Sequence, residues 1–163
     1  MVTTKKSALV LGLLAVTGAI VGAGLNASAA TSQNLNTHGS ACNPFNAPEV
    51  GDIEYLSTGV RTLEAVTGKR KVMCPVARHP VTGPGQKFWV DGSNAAGQST
   101  LCALYSTKFN GQFSSAYSFS SNAATYDTPA PLSVVGKYDY VSVLCELPAH
   151  ADGVLFGVIA EDN

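Results

Sequence analysis

Tyr138-Asp139-Tyr140-Val141-Ser142-Val143-Leu144-Cys145-Glu146-Leu147 carries an apolar side chain on every second residue, at Val141, Val143, Cys145 and Leu147. Successive side chains of a strand point to opposite faces, so these four make one apolar face. Tyr138, Tyr140, Ser142 and Glu146 fall on the other, together with Leu144. One face is therefore expected in a core and the other partly in water, the pattern of an antiparallel sheet covered on one side. Downstream, Pro148 and Asp152-Gly153 supply turn chemistry, and Val154 to Ala160 is apolar on both faces, as in a central strand. Together the two runs predict a C-terminal antiparallel hairpin.

Working upstream, short β-patterned runs alternate with Gly, Pro, Asn and Ser clusters. Strands are expected at Val60 to Val66, Arg70 to Ala77, Lys87 to Asp91, Thr100 to Thr107, Gln112 to Ser120 and Leu132 to Val135. Asp52 to Leu56 fits either a short strand or a helical turn. Phe109-Asn110-Gly111-Gln112 has the Asn-Gly pair of a two-residue type I′ hairpin. Tyr126 to Pro131 contains Pro129 and Pro131 and reads as a connection across the fold, because proline cannot donate to a central ladder. No run carries a helical stripe. The fold class is all-β: an antiparallel two-sheet β-sandwich, jelly-roll-like or immunoglobulin-like.

The N-terminal end has a different character. Lys5 and Lys6 precede an uncharged stretch from Ala8 to Leu25, and Ala27-Ser28-Ala29 follows as a small-x-small site. A positive end, an apolar middle and a small-residue exit are the parts of a cleavable secretory signal, expected here over residues 1–29. A retained anchor is the competing reading, since the apolar stretch approaches the roughly 18 residues of a membrane span; four glycines within it and the lack of a charged flank favour cleavage. A polar, flexible lead is expected over residues 30–41, and one β-sandwich domain over 42–163. The expected location is secreted or periplasmic, with no stable membrane insertion after cleavage.

Four cysteines, Cys42, Cys74, Cys102 and Cys145, lie beyond the signal, an even number without CxxC or zinc-ribbon spacing. In an oxidising compartment they predict two disulfides. Three pairings are possible and the sequence does not choose among them; Cys42 with Cys74 and Cys102 with Cys145 is preferred.

Charge excludes one class of partner. Lys and Arg number 10 against 11 Asp and Glu, and removing Lys5 and Lys6 leaves 8 against 11, a net charge near −3. Charged residues make up 13% of the chain, about half the usual 25%. Nucleic acid needs a dense basic face, and the one basic run is Lys69-Arg70-Lys71, which reads as a solvated turn more readily than as an anion site.

Several stretches resemble a group of small exported bacterial proteins of unknown function with a four-cysteine β-rich domain. They are Asp52-Ile53-Glu54-Tyr55-Leu56, Gly59-Val60-Arg61, Met73-Cys74-Pro75-Val76, Val90-Asp91-Gly92-Ser93, Cys102-Ala103-Leu104-Tyr105-Ser106 and Val143-Leu144-Cys145-Glu146-Leu147-Pro148. The resemblance implies bacterial export and a disulfide-bonded β-fold, and it carries over no catalytic or binding residue.

Catalytic signals are thin. There is no G-x-S-x-G elbow, and His79 with Asp91 and Ser93 supplies triad residue types without triad geometry. Asp52 and Glu54, with Glu49 nearby, would share a strand face at a spacing a glycosidase pair permits. Metal signals are thinner: His38 and Cys42 stand four apart, His150 sits in a turn, and no cofactor or metal site is expected. Binding is the better-supported class. Trp89, Tyr105, Tyr117, Tyr126, Tyr138 and Tyr140 could stack on sugar rings, since Tyr and Trp suit wet interfaces with an apolar body and a polar tip. Tyr138 and Tyr140 are the leading pair, with Trp89 beside them as a candidate. The expected function is a non-enzymatic binding or surface-interaction module for carbohydrate or an envelope component. A small secreted hydrolase is the alternative, as is an inhibitor of secreted enzymes acting through Pro80 to Gln86.

Overall fold

The computed structural model describes residues 33–78, 87–136 and 138–162. Residues 1–32, 79–86, 137 and 163 lie outside them, and with them the segment expected as a signal, His79 and the Pro80 to Gln86 stretch. Eleven strands follow in chain order: β1 (Gln33–His38), β2 (Asn43–Pro44), β3 (Ile53–Leu56), β4 (Gly59–Thr62), β5 (Arg70–Pro75), β6 (Lys87–Asn94), β7 (Thr100–Thr107), β8 (Phe113–Ser121), β9 (Thr125–Pro129), β10 (Tyr140–Leu147) and β11 (Gly153–Asp162). They form two antiparallel sheets. The first runs β3-β4-β11-β6-β9, with β1 also on β11, and the second runs β2-β5-β10-β7-β8. The only helical pieces among the described residues are two short 3-10 turns, Gly39–Ala41 and Ala47–Asp52. No described helix is long and apolar enough to cross a membrane.

Strict alternation explains the second sheet. In β10, Val141, Val143, Cys145 and Leu147 are buried, while Tyr140, Ser142, Leu144 and Glu146 turn outward. Its neighbour β7 does the same with Thr100, Cys102, Leu104 and Ser106 inside. The inner faces meet Phe88, Val90, Leu155, Val158 and Ala160 of the first sheet in one core. Both disulfides lie in the second sheet: Cys102 stands opposite Cys145 in the β7–β10 register, and Cys42, just before β2, bridges to Cys74 of β5. Bridges of this kind are made in oxidising compartments.

β11 is central, as its two-faced apolar run implies. A register shift between Leu155 and Gly157 makes Phe156 an extra residue, so the inward set changes from Gly153 and Leu155 to Val158 and Ala160.

Other expectations are corrected. β10 and β11 are not a hairpin, because they belong to different sheets. The 148–152 segment crosses between sheets, held by Thr62 Oγ1 donating to the Pro148 carbonyl at 2.7 Å and by His150 N–H donating to the Val66 carbonyl at 2.8 Å. Residues 125–129 form an edge strand rather than a bare connection; β9 pairs only with β6, so Pro129 costs no second ladder. Leu132 and Val135 are buried, but they lie in a loop instead of a strand. Gln33–His38, expected within a flexible lead, pair along β11 as β1. Around Asn110-Gly111, Lys108 N–H donates to the Gln112 carbonyl and only Gly111 has positive φ, 82°. A type I′ turn needs two such residues, so the loop is a three-residue one with glycine in the left-handed position. Finally, β4 ends at Thr62, β5 at Pro75, and β6 continues through Gly92 to Asn94, where a turn was expected.

Candidate functional site

The outer face of the second sheet carries the three most exposed of the groove-lining aromatic residues. Tyr140 opens β10 and Tyr138 sits in the turn just before it, at 70% and 64% exposure, and Phe109 projects from the β7–β8 loop at 74%. These three rings meet Met73, Pro75 and Val76 of the β5 segment, with Asn43 and Ser142, around a groove of about 1030 Å³. That volume is at the upper end of the roughly 300–1,000 Å³ of small-molecule sites, so it suits an extended ligand of several units.

A polar knot fixes the turn that presents the tyrosines. The Asp139 carboxylate accepts from Gly136 N–H at 2.8 Å and from Ser106 Oγ at 3.0 Å. Arg78 Nη1 donates to the Asp139 carbonyl at 2.6 Å and reaches the Gly136 carbonyl at 3.3 Å. Burial alone would raise the Asp139 carboxyl; the Gly136 N–H, the Ser106 and Ser114 hydroxyls and the Arg78 charge outweigh it and hold it below its ordinary 3.8. Ser114 reaches this carboxylate because the β7–β8 register shifts between Ser106 and Thr107, leaving Ser114 as the extra residue. The bulge and the carboxylate together anchor Gly136 and Asp139 to β7 and β8.

The other sequence candidates are dispersed. Trp89 lies on the outer face of the first sheet, half-buried, with Nε1 donating to Glu161 Oε2 at 3.5 Å, so it is remote from Tyr138 and Tyr140. Tyr126 is buried in the core, Tyr117 packs against the core, and Tyr105 lies half-buried on the outer face opposite Ser142. Asp52 and Glu54 do not form an open carboxylate pair: Arg70 Nε holds Asp52 at 2.7 Å and Arg61 Nε holds Glu54 at 2.6 Å. The basic run is likewise paired, with Lys69 and Lys71 both on Glu146 at 3.5 and 3.9 Å. His38 Nδ1 meets Ser40 Oγ at 2.8 Å, and His150 Nδ1 lies 3.1 Å from the Glu64 carbonyl. Asp91 and Ser93 share the outer face of β6, where Asp91 stands opposite Asp127 of β9. Among the described residues no group of three or more His, Cys, Asp or Glu is placed to hold a metal ion.

Sequence reasoning missed Phe109, Asn43, Met73, Pro75 and the Arg78–Asp139 knot. Alternation identifies the face of a single strand, and these residues come from a loop, two other strands and a turn.

No family model matches the chain, and no curated protein matches it. Among solved structures it is similar to the "xylan-binding module CBM15", at TM-score 0.48 and 10% identity over 81% of this chain and 97% of that one. It is also similar to TmCBM61 in complex with beta-1,4-galactotriose, at TM-score 0.41 and 10% identity over 82% of this chain and 90% of that one. At that distance neither says what this chain binds.

Proposed function

We propose that the protein is an exported, non-enzymatic glycan-binding module that holds a carbohydrate chain in the groove on the outer face of its second sheet. The observation that carries this reading is the convergence of Tyr138, Tyr140 and Phe109, all exposed, beside Asn43 and Ser142 in one groove. An apolar ring face with hydrogen-bonding groups at its rim suits a pyranose, which has a C–H face and a hydroxyl edge. Aromatic residues exposed to this degree would otherwise be a solubility liability. The sheet beneath is pinned by both disulfides, so the platform is ordered before a ligand arrives and less is lost on binding. The two disulfides and the sequence of residues 1–29 support export.

The direct test is retention of the domain in native gels containing soluble polysaccharides, followed by calorimetry with whichever one retains it. Tyr138→Ala, Tyr140→Ala and Phe109→Ala should each weaken binding about tenfold, roughly 1.4 kcal/mol, with an unchanged melting temperature. Binding that survives all three substitutions would place the ligand elsewhere. The hydrolase alternative gains no observation of its own, because Asp52 and Glu54 are each engaged by an arginine.

A further inference from the structure

The charges around the groove bear on which glycan it would take. Of its described lining residues, only Arg78 and Asp139 are ionised, and both are engaged within the protein. The Arg78 guanidinium donates to the carbonyls of Asp139 and Gly136, and the Asp139 carboxylate accepts from Gly136 N–H and Ser106 Oγ. Further along the same face, Lys69 and Lys71 both turn to Glu146. β7 and β8, which continue the face, contain no charged residue; the loop between them carries one exposed cation, Lys108, beside Phe109 but outside the groove lining. The remaining lining offers neutral groups: the Asn43 amide, the Ser142 and Tyr140 hydroxyls, and the apolar surfaces of Met73, Pro75 and Val76.

Resting on the glycan reading above, we infer that the groove selects a neutral polysaccharide and discriminates against chains bearing carboxylate, sulfate or ammonium groups. A charged substituent pressed against Pro75, Val76 and the aromatic rings would lose water without gaining a counter-charge, and that desolvation is costly. An acidic sugar drawing on Arg78 would compete with the two carbonyls that hold the turn presenting Tyr138 and Tyr140. An ammonium-bearing sugar drawing on Asp139 would compete with Gly136 N–H and Ser106 for the same carboxylate. The selectivity therefore comes from charges already engaged in positioning the tyrosines.

The experiment compares chemically matched probes: hydroxyethyl and carboxymethyl derivatives of one glucan, neutral and uronate-bearing xylans, and a neutral galactan, with chitosan as the cationic probe. Each is tested by gel retardation and calorimetry at low and high salt against the parent domain, Tyr140→Ala and Lys108→Gln. The expected result is binding to at least one neutral chain, lost in Tyr140→Ala, and at least about tenfold weaker binding of its charged counterpart. Lys108→Gln should behave as the parent. Equal or tighter binding of the acidic chain, fading with salt or in Lys108→Gln, would overturn the neutral selectivity while leaving the groove as the site. Retention of no polysaccharide, or retention that Tyr140→Ala does not alter, would overturn the glycan reading itself and this inference with it.

Discussion

Asp91 and Asp127 face each other directly across the β6–β9 register, with Gly157 of β11 on the other side of Asp91 and His38 opposite Gly157 on β1. Burial, then a hydrogen bond that protonated Asp91 donates to the Asp127 carboxylate, then the Asp127 charge push the Asp91 carboxyl from 3.8 up to about 7. The folded chain thus keeps a proton on Asp91 between about pH 4 and pH 7 that the unfolded chain has released. Below pH 4 both states are protonated and the pair costs nothing. As pH rises towards 7 the folded state alone resists losing the proton, so stability falls; above 7 the penalty is complete and constant. Taken at about 1.4 kcal/mol per unit, the rise would amount to roughly 4 kcal/mol. The pair sits at the sheet surface within reach of water, and screening reduces this to about 2 kcal/mol. Asp127→Asn removes the opposing charge and leaves Asp91 a hydrogen-bond donor. It should be neutral at pH 4 and, because burial is the largest cause and remains, stabilise by about 1 kcal/mol at most at pH 8, a rise of roughly 3–4 °C in melting temperature. Thermal melts of parent and variant from pH 4 to 8.5 measure this, and the difference between them removes the pH dependence common to both. Parallel curves for the two proteins would refute the argument that like charge across β6 and β9 limits stability at neutral pH.

Replacing Cys102 and Cys145 together by Ala should lower stability by about 4 kcal/mol on the chain-entropy estimate for their separation of 43 residues, read as the urea midpoint under non-reducing conditions. Asp139→Asn weakens the carboxylate's acceptor bonds to Gly136 N–H and Ser106; glycan binding should fall about five- to tenfold for about 1 kcal/mol of stability, and binding by the parent should persist down to the low pH at which Asp139 finally protonates. Asn94→Ala deletes the side chain that accepts from Thr100 Oγ1 at 2.7 Å and donates to the Ser121 and Ala123 carbonyls. It should cost about 2–3 kcal/mol, because buried partners are left unsatisfied, and chemical denaturation would show it.

Much of the second sheet was legible because β7 and β10 obey a two-residue period over their whole length. Thr100 to Thr107 begins and ends where the alternation does, and the buried set of β10 is the apolar set of its sequence. Locality was harder to read. Two β runs joined by turn residues look like a hairpin whether they pair or part, and the hydrogen bonds that carry 148–152 across to β4 come from Thr62, 86 residues away. β9 was obscured by Pro129, whose tolerance depends on β9 being an edge. β1 was obscured by its polarity, since Asn34, Asn36 and His38 face water while the backbone pairs with β11. For the site, the period placed Tyr140 on an outer face but could not say which sheet Trp89 belonged to. The two ended on opposite sides of the sandwich.

The placement of the groove follows from what each sheet can hold rigid. The first sheet contains the bulge at Phe156 and the unfavourable Asp91–Asp127 pair, with no disulfide. The second carries both cross-strand bridges, and its β7–β8 bulge is tied to the Asp139 carboxylate through Ser106 and Ser114. A stacking platform works only if its rings keep their spacing, because each degree of freedom frozen on binding subtracts from affinity. Tyr138 is outside the β10 ladder, so the Asp139–Gly136–Arg78 contacts next to it in the chain help to hold it where sheet pairing does not. Loosening that knot should therefore reduce binding more than it reduces stability. The reverse ordering is expected for disulfide removal, where the fold fails before the site is tested.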